Sequence, residues 1–461
     1  MNVLIVGCGK LGIRLASALV NEKCDVTVID INEKVIENVN NTIDVLTINA
    51  NALDFEILKE IKIENYDLIL ATTTNDEANV LISSVAKSMG CKRAIARVRN
   101  SKYFKQINFI IDELGIDHII NPDYVTAKSI EKYLLKKYLL MSDDFADGKV
   151  KLVDFNIGND ENFVGKKLME LKGFDNLIIT VISRKGKKIV PNGETVLKEN
   201  DVILLCGASR DIVEFDRMHS QVKIAKDIKK VMILGGGKLG FYLGKMLSDE
   251  NIDTTILEIN PERCLEIKEK LPNCCIINGD GTSFSLLDEE NIDTYDAFVA
   301  ATGIDETNLL MALSVKQSGM YKSVAKISRS NYNQILDKLD LDGAFNTSFI
   351  TASEILKLTR GKESLGVSLT LDGEAEFTEI LLEDGIKVLG HPIKDLNLPN
   401  GLLVSAIVRD TEVIIPNGDT ILRSGDRIIV FCAHEQISFL KSNFYKNIKK
   451  GGFLSELRNR L

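Results

Sequence analysis

One glycine-rich signature occurs twice in this chain, in the same setting, and that repetition limits the folds open to it more than any other feature. The first copy reads Gly7-Cys8-Gly9-Lys10-Leu11-Gly12 and the second Gly235-Gly236-Gly237-Lys238-Leu239-Gly240. Each follows a short apolar run, Val3-Leu4-Ile5-Val6 or Val231-Met232-Ile233-Leu234, and opens a stretch with helical patterning. Each is answered by an acid 23 residues beyond its first glycine, Asp30 in one copy and Glu258 in the other. A single Gly-x-Gly-x-x-Gly is a weak signal. Two copies with a strand before, a helix after and the acid in register are a strong one.

The repeat extends beyond the loops. Apolar strand patterns at Asn2–Val6, Asp25–Ile29, Asp44–Ile48, Asp67–Ala71 and Ala94–Val98 recur as Lys230–Leu234, Asp253–Leu257, Cys274–Ile277, Asp296–Ala300 and Val324–Ile327. Near-continuous apolar runs separated by helical stretches belong to strands covered on both faces of a parallel sheet. A smaller module follows each such unit, marked by Pro191-Asn192-Gly193 and Pro416-Asn417-Gly418; Gly165 and Gly390, Arg184 and Arg409, and Asp201 and Asp426 keep the same 225-residue offset. The expected fold class is α/β: two doubly wound parallel-sheet (Rossmann-like) domains, each followed by a small α+β subdomain. The expected boundaries are 1–140, 141–225, 228–358 and 364–447. Tyr124–Met141 carries apolar residues at helical spacing and reads either as a crossover helix building a dimer or as a helix packed on its own domain.

Composition removes several functions. The net charge is −9, which argues against generic nucleic-acid binding. No apolar run approaches the roughly 20 residues that span a bilayer. The N-terminus starts as a buried strand, so no signal peptide is expected. The 8 cysteines include no Cys-x-x-Cys pair and several lie in apolar strands, as core thiols do. Four scattered histidines offer no metal spacing.

The glycine loops carry the chemistry. The first glycine makes the strand-to-helix turn, the second lets a pyrophosphate approach the backbone, and the third lets helix and sheet pack closely. The helix N-terminus presents free N–H groups to the phosphates. Asp30 or Glu258 can accept ribose hydroxyls. Ile31-Asn32 and Ile259-Asn260 follow them, with no adjacent arginine to welcome a 2′-phosphate, so NAD, NADH, ATP and ADP remain open. At an offset of 229, Asn51-Ala52 matches Asp280-Gly281 where a base would sit, Thr73 matches Thr302, and Arg97 matches Lys326. Lys10 and Lys238 add charge beside the loops. No Tyr-x-x-x-Lys, Cys–His or His–Asp set and no Gly-x-x-x-x-Gly-Lys-Ser/Thr loop stands out, so the sequence reads as a sensor, not an enzyme. An NAD-dependent oxidoreductase with an unrecognised catalytic module is the alternative.

The glycine loops, Ala71-Thr72-Thr73-Thr74-Asn75-Asp76-Glu77 and Ala96-Arg97-Val98-Arg99-Asn100 resemble the RCK (KTN) domains that regulate potassium transport. The small modules resemble the RCK C-terminal (TrkA-C) subdomain, and the large–small–large–small order is similar to that of the Trk-system TrkA family over about residues 1–445. The resemblance implies a cytoplasmic, nucleotide-binding homo-oligomer, a dimer or tetramer, docked under a membrane potassium channel of the TrkH or TrkG type. NAD(H) or ATP/ADP would change its shape and so the gate. The first site would comprise Gly7 to Gly12, Asp30, Asn51, Ala52, Thr73 and Arg97. The second would comprise Gly235 to Gly240, Glu258, Asp280, Gly281, Thr302 and Lys326.

Overall fold

A computed structural model of the chain describes residues 1–21, 24–100, 106–135, 142–171, 173–174, 176–184, 187–219, 228–329, 332, 341–359, 364–370 and 375–445. The apolar runs of the first large domain become β1 (Asn2–Val6), β2 (Asp25–Asp30), β3 (Leu46–Asn49), β4 (Leu68–Ala71) and β5 (Ala94–Arg97), joined by a sixth strand, β6 (His118–Ile120). They form one sheet in the order β3-β2-β1-β4-β5-β6 with parallel pairings. Right-handed crossovers over a parallel sheet put helices on both faces, which is why Leu4, Ile5, Val28, Ile69 and Leu70 are all fully buried. The order reverses between β1 and β4, and a ligand crevice is expected at the carboxyl ends of those strands.

The first small module is an antiparallel sheet of β7 (Ser142–Phe145), β8 (Val150–Asn156), β9 (Leu177–Arg184), β10 (Lys187–Ile189) and β11 (Val202–Ala208), in the order β10-β9-β11-β8-β7, followed by a helix at Ser209–His219. The second large domain repeats the first with β12 (Lys230–Leu234), β13 (Asp253–Glu258), β14 (Cys275–Asn278), β15 (Ala297–Ala300), β16 (Lys322–Ile327) and β17 (Gly343–Asn346), ordered β14-β13-β12-β15-β16-β17. Its buried polar pair is repeated as well: Tyr66 donates to Thr27 in the first domain and Tyr295 to Thr255 in the second, both at 2.9 Å. The last module holds β18 (Ser364–Thr370), β19 (Ala375–Leu381), β20 (Leu402–Arg409), β21 (Glu412–Ile414) and β22 (Arg427–Ala433), ordered β18-β19-β22-β20-β21. The α/β class with two Rossmann-like sheets and two small antiparallel modules is therefore as the sequence indicated.

In the small modules, antiparallel strands are apolar on both faces, where one apolar and one polar face is the usual pattern. Both faces are in use. Phe145, Leu152, Val181 and Cys206 of one module share a core with Phe377, Val408, Ile429 and Phe431 of the other. The opposite face of the first module packs on Ile212 and Phe215 of its helix, and that of the second on Ile437, Leu440 and Phe444. The matched Arg–Asp positions are ion pairs: Arg184 with Asp201 at 2.7 Å and Arg409 with Asp426 at 2.8 Å, each aspartate only 1% exposed. They are structural ties between a strand and its neighbouring turn.

The chain divides into two compact units, and neither follows a simple sequence cut. One holds Met1–Ala127 with Asn346–Thr359; the other holds residues from Lys128 to Phe345 and from Arg360 to Asn447. In the first unit, Arg14 lies 5.0 Å from the Phe349 ring and Arg93 donates to the Leu358 carbonyl at 3.1 Å, so the helix Thr347–Thr359 packs on the first domain. In the second, the end of the helix Pro122–Leu135 packs on the second sheet. The Tyr133 hydroxyl donates to the Asp342 carbonyl (2.7 Å), and Lys322 Nζ donates to the Tyr133 and Leu134 carbonyls (2.9 and 3.3 Å). A cation thus satisfies orphan carbonyls at the C-terminus of each exchanged helix. The end of this helix therefore crosses to the second sheet and does not pack on its own domain, the second of the two sequence alternatives. Its remaining expected turns, to Met141, fall outside the described residues.

Candidate nucleotide-binding sites

Each loop is shaped by its first and third glycines. Gly7 has φ +91° and Gly235 φ +105°, a region that L side chains rarely adopt. A Cβ on Gly7 would sit 2.7 Å from the Thr73 backbone nitrogen, and one on Gly12 would sit 2.1 Å from the Gly7 carbonyl oxygen. Gly240 repeats the second contact at 2.0 Å. The middle glycines differ. A Cβ on Gly9 or Gly237 would meet nothing within 4 Å, and Gly237 has an ordinary φ of −60°. No contact among the described residues requires glycine there, and the bare backbone leaves room for a phosphate laid against the loop, which the residues fit. Lys10 and Lys238 stand exposed at the first turn of their helices, while Cys8, Leu11 and Leu239 are buried.

The acids reach back to the loops. Asp30 accepts from the Cys8 N–H (2.6 Å) and from the Asn32 N–H (2.8 Å) on separate oxygens. Glu258 does the same with Gly236 (2.8 Å) and Asn260 (2.9 Å). Two such bonds aim each carboxylate along the edge of the loop, and each oxygen keeps a lone pair for a ribose hydroxyl. Burial and the neighbouring Asp30 push the Cys8 thiol up to about 12, so it stays a neutral core group.

Asn51 and Asp280 turn the chain after the third strand. Asn51 accepts from the Leu53 N–H (3.1 Å), and Asp280 accepts from both the N–H and the hydroxyl of Thr282 (3.0 and 2.7 Å), which hold its carboxyl below the usual range. Ala52 points into the core with Leu4 and Ile29. A Cβ at Gly281 would fall 2.3 Å from Leu234. At these two positions only backbone is left for a base.

After the fourth strand the structure brings together Thr73 and Arg97 through a residue the sequence reading missed. Asn79, fully buried, accepts from the Thr73 N–H (2.9 Å) and hydroxyl (2.6 Å) and donates to the carbonyls of Thr73 (3.0 Å) and Arg97 (2.9 Å). Asn308 repeats all four bonds with Thr302 and Lys326. The signal was available, since Asn79 and Asn308 keep the 229-residue offset. Arg97 donates to the Thr73 carbonyl at 2.7 Å, and Lys326 reaches the Thr302 carbonyl at 3.3 Å. Both cations are turned in beneath the loop and are not surface groups. Asp76 and Asp305 close the arrangement by accepting from the N–H groups of Arg99 and Asn100, and of Ser328 and Arg329.

Two more features escaped the sequence reading. Ile31 and Ile259, next to the acids, are 74% and 67% exposed, an unusual state for isoleucine at matched positions. Arg263 lies on the second loop only. Its Nε donates to the Gly236 carbonyl at 2.8 Å, and its guanidinium carbon is 5.7 Å from the Phe241 ring.

A strand order reversing at a glycine loop, with an acid bonded to the loop's N–H and a buried asparagine behind the fourth strand, defines a tandem dinucleotide-binding-type protein. Comparison with known proteins places it further. The TrkA-N domain family matches residues 3–122 and 231–347, and the TrkA-C domain family residues 152–219 and 377–445. The Trk system potassium uptake protein TrkA homolog 1 of Methanosarcina mazei is 33% identical over 453 residues, covering 96% of this chain and all of the relative. The Trk system potassium uptake protein TrkA of Vibrio alginolyticus is 30% identical over 445 residues, covering 95% of this chain and 96% of the relative. The chain belongs to the TrkA family. Among solved structures, the GsuK RCK domain superposes with a TM-score of 0.59 at 17% identity, covering 96% of this chain and 94% of its own. The GsuK channel bound to NAD gives 0.58 at 17%, covering 96% and 78%; at that identity the likeness concerns the fold.

Proposed function

We propose that this chain is a nucleotide-binding regulatory subunit of a Trk-type potassium uptake system. Each large domain holds one adenine nucleotide, NAD(H) or ATP/ADP. Its phosphates lie on Gly7–Gly12 or Gly235–Gly240, its ribose on Asp30 or Glu258, and its base beside the backbone of Asn51-Ala52 or Asp280-Gly281. Exposed Ile31 and Ile259 are the apolar faces for that base. Thr73 with Arg97, and Thr302 with Lys326, border the far end. The observation that carries this reading is the pair of middle glycines, which no contact among the described residues requires. The relatives named for potassium uptake and a neighbour of the same fold with NAD bound support it.

The partner is a membrane potassium-translocating subunit of the TrkH or TrkG type, and the chain works as a homo-oligomer, a dimer or tetramer, at the cytoplasmic face. No helix among the described residues is long and apolar enough to cross a membrane. Nucleotide shifts the partner's gate only through unequal affinity for two shapes of this subunit. The role is regulatory and not catalytic: at the far end of each site stand a threonine hydroxyl bonded to asparagine and an inward cation, not groups suited to proton transfer near neutral pH. The test is calorimetric titration of the full chain with NADH and with ATP, together with co-purification with a Trk-type membrane protein. Two nucleotides per chain and a stable complex support the reading; no binding by any adenine nucleotide refutes it.

A further inference from the structure

The two sites are not electrostatic copies. The helix after the second acid, Pro261–Lys270, carries Arg263, Glu266 and Lys270; the helix after the first, Glu33–Thr42, has Val35, Asn38 and Thr42 at the same 228-residue offset. The registers agree, because Asn32 and Asn260 cap the two helices and Val39 and Ile267 are both fully buried beneath them. Glu266 accepts from both Arg263 and Lys270, which hold its carboxyl down to about 2, so one anion serves two cations. Counted whole, the second helix is neutral (Glu262, Glu266 and Glu269 against Arg263, Lys268 and Lys270) and the first carries one net negative charge (Glu33 and Glu37 against Lys34), so the second is the more positive by one unit.

The Arg263 charge is held against the phosphate loop. Arg263 Nε donates to the Gly236 carbonyl at 2.8 Å, Nη2 is 3.5 Å from the Gly237 carbonyl, Nη1 meets Glu266, and the Phe241 ring lies alongside. Gly236 and Gly237 are the residues whose backbone a pyrophosphate would approach. A guanidinium is charged at every physiological pH, and one already fixed on four sides loses little freedom when a ligand arrives. It sits one peptide away from the anion-binding face, at the edge of solvent, where charges several ångströms apart still interact appreciably.

We propose that Arg263 makes the second site selective for nucleotides of higher phosphate charge, so that the two sites of one chain divide adenine nucleotides between them, the second favouring a mononucleotide polyphosphate over a dinucleotide. This rests on the nucleotide-binding reading above. The selection is electrostatic: Arg263 interacts with total phosphate charge, so its effect grows from NADH to ADP to ATP.

The test is calorimetry on the full chain with Gly9→Val silencing the first site, titrated with NADH, ADP and ATP without divalent cations at low and high salt. Arg263→Met is expected to weaken ATP about 10-fold and NADH only about 2-fold, as removing one unit charge at this range implies, and to flatten the salt dependence. Arg263→Lys, which keeps the charge and loses the fork, retains the nucleotide ranking. Val35→Arg in a Gly237→Val background shifts the first site toward ATP. Equal weakening for all three nucleotides with an unchanged salt slope would make Arg263 a mere buttress of the loop and overturn the proposal. Absence of binding at the second site with Arg263 in place would sink the nucleotide reading itself, and the thermal midpoint of each variant separates both outcomes from misfolding.

Discussion

The glycines of one loop should separate stability from binding when each is replaced. Gly7→Ala forces an L side chain into φ +91° and drives a Cβ to 2.7 Å from the Thr73 nitrogen and 2.8 Å from its Cα, both backbone atoms that cannot step aside. Left-handed strain costs about 1–2 kcal/mol per residue, and an overpacked contact adds about 1–3 kcal/mol, so a loss of roughly 2–5 kcal/mol is expected. Gly9→Ala meets nothing within 4 Å, so its stability should stay within about 0.5 kcal/mol of the parent. Its methyl group nevertheless occupies the face on which phosphate would lie. Losing one or two charge-assisted N–H bonds costs about 1.5–3 kcal/mol, or roughly 10- to 150-fold in affinity. The assay is paired: thermal unfolding without nucleotide, and calorimetric affinity at the first site. A Gly9→Ala or Gly9→Val chain that binds like its parent would refute the assignment of that loop to phosphate, whatever Gly7→Ala does.

Further outcomes follow from the same geometry. Asp30→Ala should weaken nucleotide at the first site by about 1–3 kcal/mol while the second site, read in the same titration, keeps its affinity; equal loss at both sites would contradict the independence of the two anchors. Asn79→Leu removes an amide making four bonds at full burial and leaves the Thr73 N–H unpaired, so the thermal midpoint should fall by the equivalent of about 2–4 kcal/mol, with Asn308→Leu doing the same; an unchanged midpoint in either would refute the buttress role. Burial pushes the Lys322 ammonium down to about 8 from the usual lysine value. The unfolded chain then binds more protons above that pH, so this group's contribution to stability rises as pH climbs from about 8 toward the free lysine value near 10.4. Lys322→Met should lack that rise when denaturant midpoints are compared between pH 7.5 and 10; a difference between the two proteins that is flat with pH would contradict it.

What could be read from the sequence was what the chain states twice. The glycine loops, the acid 23 residues on and the first five strands of each large domain were legible because apolar runs and fixed offsets survive without coordinates. The sixth strands were not. His118–Ile120 is three residues long, and Gly343–Asn346 carries glycine and asparagine, so neither gives a periodic signal. The exchange of helices was hidden for another reason. Tyr133 and Phe349 advertise an apolar face, but a face does not say which domain it covers, and the answer lies 209 residues away for Tyr133 and 335 (349 − 14) for Phe349. Asn79 and Asn308 carried a readable offset that was passed over, because a polar residue inside a helix pattern looks like surface until its four partners are seen. Arg263 had no offset to read at all: its meaning lies in the contrast with Val35.

The claim that nucleotide occupancy of this chain governs potassium movement is tested most directly by potassium flux through a Trk-type membrane protein reconstituted in vesicles with the full chain, measured while NADH, ADP and ATP are varied. Flux should change with nucleotide when the parent chain is present. With the Asp30→Ala, Glu258→Ala double variant bound to the same partner, the response should move to nucleotide concentrations roughly 5- to 150-fold higher, as a loss of about 1–3 kcal/mol at each anchor implies. Flux that ignores every nucleotide the parent chain binds, or that responds equally with the double variant, would contradict the account.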